Sequence, residues 1–380
     1  MAAFIICQST SGMPIFVKRK GEITLLPFPI TASMFGVETF CTANNATLIS
    51  TCSSNSTVIW KRYQELVFIL GSSGQSMEAK NMNRLLGQIY QALIICLGEE
   101  RVHDPSINVL KKECKVALPL IGGLLEMLHK PTSMTLLHQP LSKLESPVGN
   151  KDILDNLYAF VQSLGTVFGC VKQRGKIIAA TKEWYSLSTE ELALLDILLD
   201  QCSAEAADIP VFLPVKSPKV PYRLIKLQLS QSVEISCLVG PSPHLHEFES
   251  EVVKHFKALM PFINPSKEET SRKVDSSILG YVILNSSTFV SASYINSKKN
   301  MSFARRQEII DWFIGWIEDT YEEKPAELIM NFEYYNCHFL YQNSWSCYFI
   351  YPREMHNSYI RACSMKCFNH VIEELSFVIT

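Results

Sequence analysis

No stretch of this chain reaches the ~18 consecutive apolar residues that a membrane-crossing helix needs. No Cys-x-x-Cys pair occurs among its 12 cysteines, and neither sign of charge dominates, with 35 Lys and Arg against 37 Asp and Glu in 380 residues. The first absence argues against a spanning segment. The N-terminal run AAFIIC is also too short, and too lacking in a basic lead, for a signal-peptide core, so a cytoplasmic setting is expected. The second absence leaves single cysteines such as Cys96 in ALIICLG, which read as reduced core residues. The Asn-x-Ser/Thr triplets at Asn45, Asn55, Asn285 and Asn300 are then accidental. The third, a formal charge of −2, provides no global field toward nucleic acid or acidic lipid. Nucleic acid is not an expected partner, and membrane contact is expected to be peripheral at most. The local clusters Lys18-Arg19-Lys20, Lys111-Lys112 and Lys216, Lys219, Arg223, Lys226 read first as solvated faces and only second as phosphate or membrane contacts.

Catalytic patterns are also missing. There is no Gly-x-x-x-x-Gly-Lys-[Ser/Thr] loop and no Gly-x-Gly-x-x-Gly. Gly71-Ser-Ser-Gly74 has the wrong spacing and no Lys, so it reads as a strand-to-helix turn. A zinc site needs paired His or Cys at short spacing. His244 and His246 are two apart and should point to different sides of a helix. Cys363 and Cys367 share a helical face, but it is the apolar one. No Gly-x-Ser-x-Gly elbow marks a nucleophile. The carboxylate pairs Glu190-Glu191, Glu268-Glu269, Glu322-Glu323 and Glu373-Glu374 read as solvated surface. Aromatics crowd 334–351 without an intervening Lys or Arg, which fits a sheet core or protein interface better than a base-stacking platform. No catalytic residue, cofactor or metal ligand is expected; a hydrolase with dispersed catalytic groups is the remaining enzymatic alternative.

What the chain does contain is one order of elements three times. Apolar residues at helical spacing run through Met82, Leu85, Leu86, Ile89, Leu93 and Leu97. They recur through Leu245, Phe248, Val252, Phe256, Leu259 and Ile263, through Ile309, Trp312, Phe313, Trp316 and Ile317, and through Ile360, Cys363, Cys367, Phe368, Val371 and Leu375. Short β-branched or aromatic runs between turn residues mark strands. The first pass is a hairpin (AAFIICQS, SGMP, IFVKRK), a helical segment near 30–40, strands near 46–52, 56–63 and 65–71, a helix from Met77 and a closing helix over 106–129. The second is the hairpin TVFGCVKQ-RGK-IIAAT, a helix capped by Ser188 and Glu191, strands near 209–215, 221–229 and 233–239, and a helix with Ser242 as N-cap and Pro243 in its first turn. The third runs ILGYVILN-SS-TFVSASY, a helix from Ser302, strands near 326–332, 334–342 and 344–351, and a closing helix. Hairpin, helix, three-strand meander, helix is the order of the longin and roadblock-like folds. The expectation is therefore α+β, with three tandem domains, each a five-stranded antiparallel sheet flanked by helices. They span 1–130, 151–264 and 276–380, with linkers at 131–150 and 265–275. In PVFLPVKSPKVPYRL (210–224) the prolines must lie at strand ends, on an exposed edge or in the turn, because each lacks a ladder donor.

Five motifs resemble the Fuzzy family of planar cell polarity effectors. They are S-G-M-P-I-F near residue 12, N-S-T-V-I-W-K at 55–61, G-K-I-I-A-A-T-K-E-W at 175–184, P-V-F-L-P-V-K-S-P-K-V-P-Y-R-L at 210–224 and L-V-G-P-S-P at 238–243. The resemblance implies a non-enzymatic triple-longin subunit without cofactor. It implies pairing with an Inturned-like longin protein, and a CPLANE-type complex with a Wdpcp-like propeller protein. It further implies action in ciliogenesis and planar polarity at the basal body and cytoskeleton, recruitment of intraflagellar transport components, and engagement of a Rab-like small GTPase, with the complex as a possible exchange factor. Longin-type sheets associate through the first helix and an edge strand, which points to ITASMFGVETF with Met34, Phe35, Val37 and Phe40 as partner contacts; alternatively these residues cover only their own sheet. A vesicle-tethering subunit of another longin complex is the second reading.

Overall fold

The computed structural model describes residues 2–21, 27–73, 79–104, 106–127, 139–140, 150–260, 275–285, 290–295, 303–320 and 325–379. Three sheets account for the strands. The first has the order β2-β1-β5-β4-β3, from β1 (Ala2–Ser9), β2 (Pro14–Lys20), β3 (Ser50–Cys52), β4 (Ser56–Tyr63) and β5 (Leu66–Ser73). Alternation sorts its side chains. Phe4, Ile6, Trp60, Val67 and Ile69 bury under α1 (Phe28–Ala43), against Met34 and Phe35. The opposite face meets α2 (Ala79–Leu97), where the Phe68 and Tyr90 rings lie edge-on with centroids 6.2 Å apart. Met82, Leu85, Leu86, Ile89, Leu93 and Leu97 of α2 are all buried, as their spacing predicts; burial of each such side chain stabilises by about 1.5–3 kcal/mol.

The expected single helix over 106–129 is broken. After α3 (Glu99–Val102), α4 (Ile107–Glu113) passes through a tight 3₁₀ turn at Cys114–Ala117 into α5 (Leu118–Met127). Pro119 in the first turn of α5 explains the break. It has no N–H to give and its ring crowds the carbonyl four residues back, so a straight helix cannot run through.

The second sheet has the order β8-β7-β11-β10-β9, from β7 (Phe168–Gln173), β8 (Lys176–Ala180), β9 (Ala206–Leu213), β10 (Ser217–Gln228) and β11 (Val233–Val239). Arg174 (φ 50°) and Gly175 (φ 73°) form its first hairpin turn; two successive positive φ values match the twist of the flanking strands. One face is covered by α6 (Asn150–Ser163) and α8 (Leu245–Phe256), whose Ile153, Leu157, Phe160, Phe248, Val252 and Phe256 share a core with Val171, Ile178, Ile225 and Ile235. α6 lies at the expected start of the second domain, but it is a helix beyond those expected from the sequence. The helix after β11 begins at Leu245, close to the expected start, but its N-cap differs. His244, not Ser242, is its N-cap, and the His244 backbone N–H donates to Glu247 Oε2 at 2.7 Å. Proline placement follows from pairing. β10 meets β11 only from Arg223 to Gln228, so Pro218 and Pro221 lie in the part that projects past β11. Pro210 lies in the edge strand β9 and Pro214 in the turn.

The third sheet has the order β14-β15-β16-β12-β13-β6, from β12 (Gly280–Asn285), β13 (Val290–Ile295), β14 (Glu327–Asn331), β15 (Tyr335–Gln342) and β16 (Trp345–Pro352). It repeats the five-stranded antiparallel pattern and adds a sixth strand. β6 (Gln139–Pro140) pairs in parallel with β13 and comes from the segment read as a linker, where two residues carry no alternation to detect. Apart from Asn150, which opens α6, the rest of that segment, and the second linker up to residue 274, lie outside the described residues. α9 (Phe303–Thr320) covers one face through Ile309, Phe313, Trp316 and Ile317. α10 (Asn357–Ile379) covers the other, with Tyr351 Oη and Ser364 Oγ 2.7 Å apart. Leu375, expected on its apolar stripe, lies outside the described side chains.

The chain divides into two compact units. One comprises Met1–Ser133, Leu194–Ser203 and Pro210–Tyr222; the other comprises Met134–Ala193, Ala204–Ile209 and Arg223–Thr380. The first unit thus takes in α7 (Thr189–Gln201) from Leu194 onward and the projecting part of the β9–β10 hairpin.

Candidate docking surface

The segment that forms α1 divides the four expected contact residues into two pairs. Met34 and Phe35 are partly buried against the first sheet. The Trp60 indole N–H donates to the Met34 carbonyl at 3.3 Å. Phe35 also packs on the β1–β2 turn: Gly12 has φ +81°, and a Cβ there would lie 2.8 Å from the Phe35 ring. Beside them Glu38 is buried and accepts from Arg62 Nη2 at 2.8 Å. Trp60 and Arg62 both lie on β4, so α1 crosses the strand next to the edge strand β3.

Val37 and Phe40 point the other way and are 49% and 70% exposed. Phe28 and Ile30 at the start of the helix are exposed too, as is Ile49 just before β3. Every residue of β3 is exposed. Around Gly36 there is open space, with nothing within 4 Å of where a Cβ would sit. From residue 23 to residue 60 the chain carries one charged side chain, the buried Glu38. A bare helix face beside a free strand edge, with no charge to solvate it, has the make-up of an interface centre, where charged residues are depleted. That charge gap is visible in the sequence and was the signal missed there.

The other sequence candidates resolve into structural roles. A Cβ at Gly71 would fall 2.2 Å from the Phe4 ring, so this glycine in β5 makes room for packing; Gly74 lies outside the described residues. His244 and His246 were expected on different sides of a helix, but their rings stack, with centroids 6.0 Å apart. His244 is the N-cap in extended geometry, so helical spacing does not apply to the pair. No cluster of three His, Cys, Asp or Glu among the described residues could hold a metal. Cys363 and Cys367 are buried. Burial pushes the Cys96, Cys114 and Cys170 thiols up to about 12, far from a reactive thiolate. Glu191 caps α7 with Ser188 as expected, but in doing so it is buried and not the solvated surface also expected of the Glu190-Glu191 pair; Glu268-Glu269 and Glu322-Glu323 lie outside the described residues. Within the basic clusters, Lys20 pairs with Glu126, Arg223 with Asp208 and Lys226 with Glu234. Tyr335, Phe339, Trp345, Tyr348, Phe349 and Tyr351 are buried in the third sheet. No helix among the described residues is long and apolar enough to cross a membrane.

Fold and surface together define a longin-domain protein. Residues 3–124 match the first Longin domain of FUZ, MON1 and HPS1, and residues 164–257 match the second; the chain belongs to this longin family. It is 31% identical over 259 residues to Protein fuzzy homolog of Xenopus tropicalis, a match covering 67% of this chain and 61% of that protein. It is 29% identical over 297 residues to Protein fuzzy homolog of Homo sapiens, covering 74% and 70% respectively. The frog match therefore spans less than two thirds of that relative's length.

Proposed function

We propose that this chain is a non-catalytic adaptor whose first domain docks another longin-domain polypeptide through the outer face of α1 and the edge of β3. The observation that carries this is the exposed, charge-free surface of Val37, Phe40, Ile49 and β3. Its likeness to the fuzzy homologues supplies the setting: an Inturned-like longin partner, a Wdpcp-like propeller protein and a CPLANE-type assembly in ciliogenesis and planar polarity at the basal body. In that setting the pair engages a Rab-like small GTPase. Exchange by such a pair needs no nucleophile, only a surface that binds the empty GTPase more tightly than the loaded one.

Co-expression with the Inturned-like protein of the same organism tests the reading. Co-purification at one-to-one stoichiometry is expected, together with its loss in the double variant Val37→Asp, Phe40→Asp. A parent chain that ignores this partner removes the pairing. A pair that leaves nucleotide release from every Rab-like protein unchanged reduces the role to scaffolding. The family model groups FUZ with MON1 and HPS1, which favours as second reading a subunit of another longin complex in vesicle traffic. Capture of a different longin chain by the same surface would select it.

A further inference from the structure

α7 holds in the second sheet the place that α1 holds in the first: each follows the opening hairpin and precedes the edge strand of the meander. Their outer faces differ. Along α7, Leu192, Ala193, Leu194, Leu195, Ile197 and Leu199 are each no more than 6% exposed. These positions go round the whole helix, so one sheet cannot cover them all.

The second cover is found inside the first unit. A Cβ on Gly123 of α5 would lie 2.8 Å from Ile197 Cγ2 and 3.1 Å from Gln201 Nε2. The Ile197 and Gln201 side chains of α7 therefore lie directly on the Gly123 backbone of α5, with no room for a side chain between. A Cβ on Gly98, where φ is +82°, would lie 2.9 Å from the ring of Phe212 on β9. Leu120, Ile121, Leu124 and Leu125 of α5 are buried along one face, and Gly123, which lies off that face, is buried as well. A helical glycine costs about 1 kcal/mol relative to Ala, which this close approach offsets.

We propose that α7 with β9 is a docking face of the same kind as α1 with β3, closed within the chain by α5 and the Gly98 turn. Of these two faces one is then open and the other closed. The proposal rests on reading α1 and β3 as a docking surface.

The test uses the full chain with Gly123→Leu and, as a matched control one residue away, Gly122→Ala. The neighbour of Gly122 is the movable end of Lys18, 3.3 Å from an added Cβ. Phe212→Ala opens the same contact from the other side without inserting volume. For Gly123→Leu and Phe212→Ala, amide exchange in α7 and β9 should accelerate at least tenfold while β1 and β5 keep parental rates. Light scattering should show a self-associated species absent from the parent and from Gly122→Ala. Unchanged exchange in α7, equal acceleration across the first sheet, or opening without association would each overturn the proposal and leave the α5–α7 contact as ordinary core. Failure of the α1 reading shows separately, as partner capture that survives Val37→Asp, Phe40→Asp.

Discussion

Glu38 accepts two hydrogen bonds from Arg62 through one nitrogen, Nη2, at 2.8 and 3.1 Å, and a third from Thr42 Oγ1 at 3.3 Å. The carboxylate is buried, while the arginine side chain is 40% exposed. This pair pins α1 to β4 and fixes which way Val37 and Phe40 face. Removing one partner strands a charge that water reaches from one side only. Arg62→Met should therefore cost about 1–2 kcal/mol, between the exposed and fully buried ranges. Urea unfolding checks it, and a change below 0.3 kcal/mol would show the pair to be incidental.

Inward and outward residues of α1 should separate cleanly. Val37→Asp and Phe40→Asp should leave stability within about 0.5 kcal/mol of the parent and abolish partner capture. Phe35→Ala should cost about 2–4 kcal/mol, being packed on the sheet and on Gly12. Equal loss of stability from both sets would mean that the outer face is covered within the chain.

Ser188 and Glu191 cap α7 reciprocally. The Ser188 N–H donates to Glu191 Oε2 at 2.9 Å and the Glu191 N–H to Ser188 Oγ at 3.2 Å. Ser188→Ala should cost about 1 kcal/mol, read as a lowered urea midpoint, and Ser188→Asp should recover most of it.

The third sheet should weaken in acid. Arg361 Nε donates to Glu327 Oε1 at 2.8 Å, and His338 Nε2 lies 3.0 Å from the same oxygen. The Arg361 bond, and then the one with His338, hold the Glu327 carboxyl below its ordinary value of 4.5. Burial pulls the His338 imidazole below its ordinary value of 6.5. A depressed carboxylate contributes stability above its unfolded value that is lost as pH falls through the folded one. A depressed imidazole takes its proton more readily unfolded, so stability also falls once pH drops below 6.5. Both act in the same direction. Arg361→Met should be less stable than the parent at pH 7 by up to about 1 kcal/mol, since Arg361 is largely exposed. That gap should close as Glu327 protonates; a gap of equal size at pH 7 and pH 3 would contradict it.

The order of strands along the chain and most helices were legible because buried faces impose a period, as in the stripe of α2, and because β5, buried on both faces, reads as one continuous apolar run. α6 was legible in principle, since Ile153, Leu157, Phe160, Val161 and Leu164 keep helical spacing, but it was obscured by the Pro- and Ser-rich stretch before it. β6 was not, because a two-residue parallel bridge has no pattern of its own. The site was half legible. Apolar spacing marked α1 as two-sided, yet only tertiary packing decides that Met34 and Phe35 face inward. Glu38, polar but buried, was invisible for the same reason: its burial depends on Arg62, 24 residues on.

The unsolvated outer side of α1 has a consequence for supply inside a cell. Until something covers it, the folded chain displays what chaperones and proteases recognise on unfinished ones. Its steady amount should then follow the abundance of whichever companion arrives, so that depleting the companion lowers this protein with no change in its messenger.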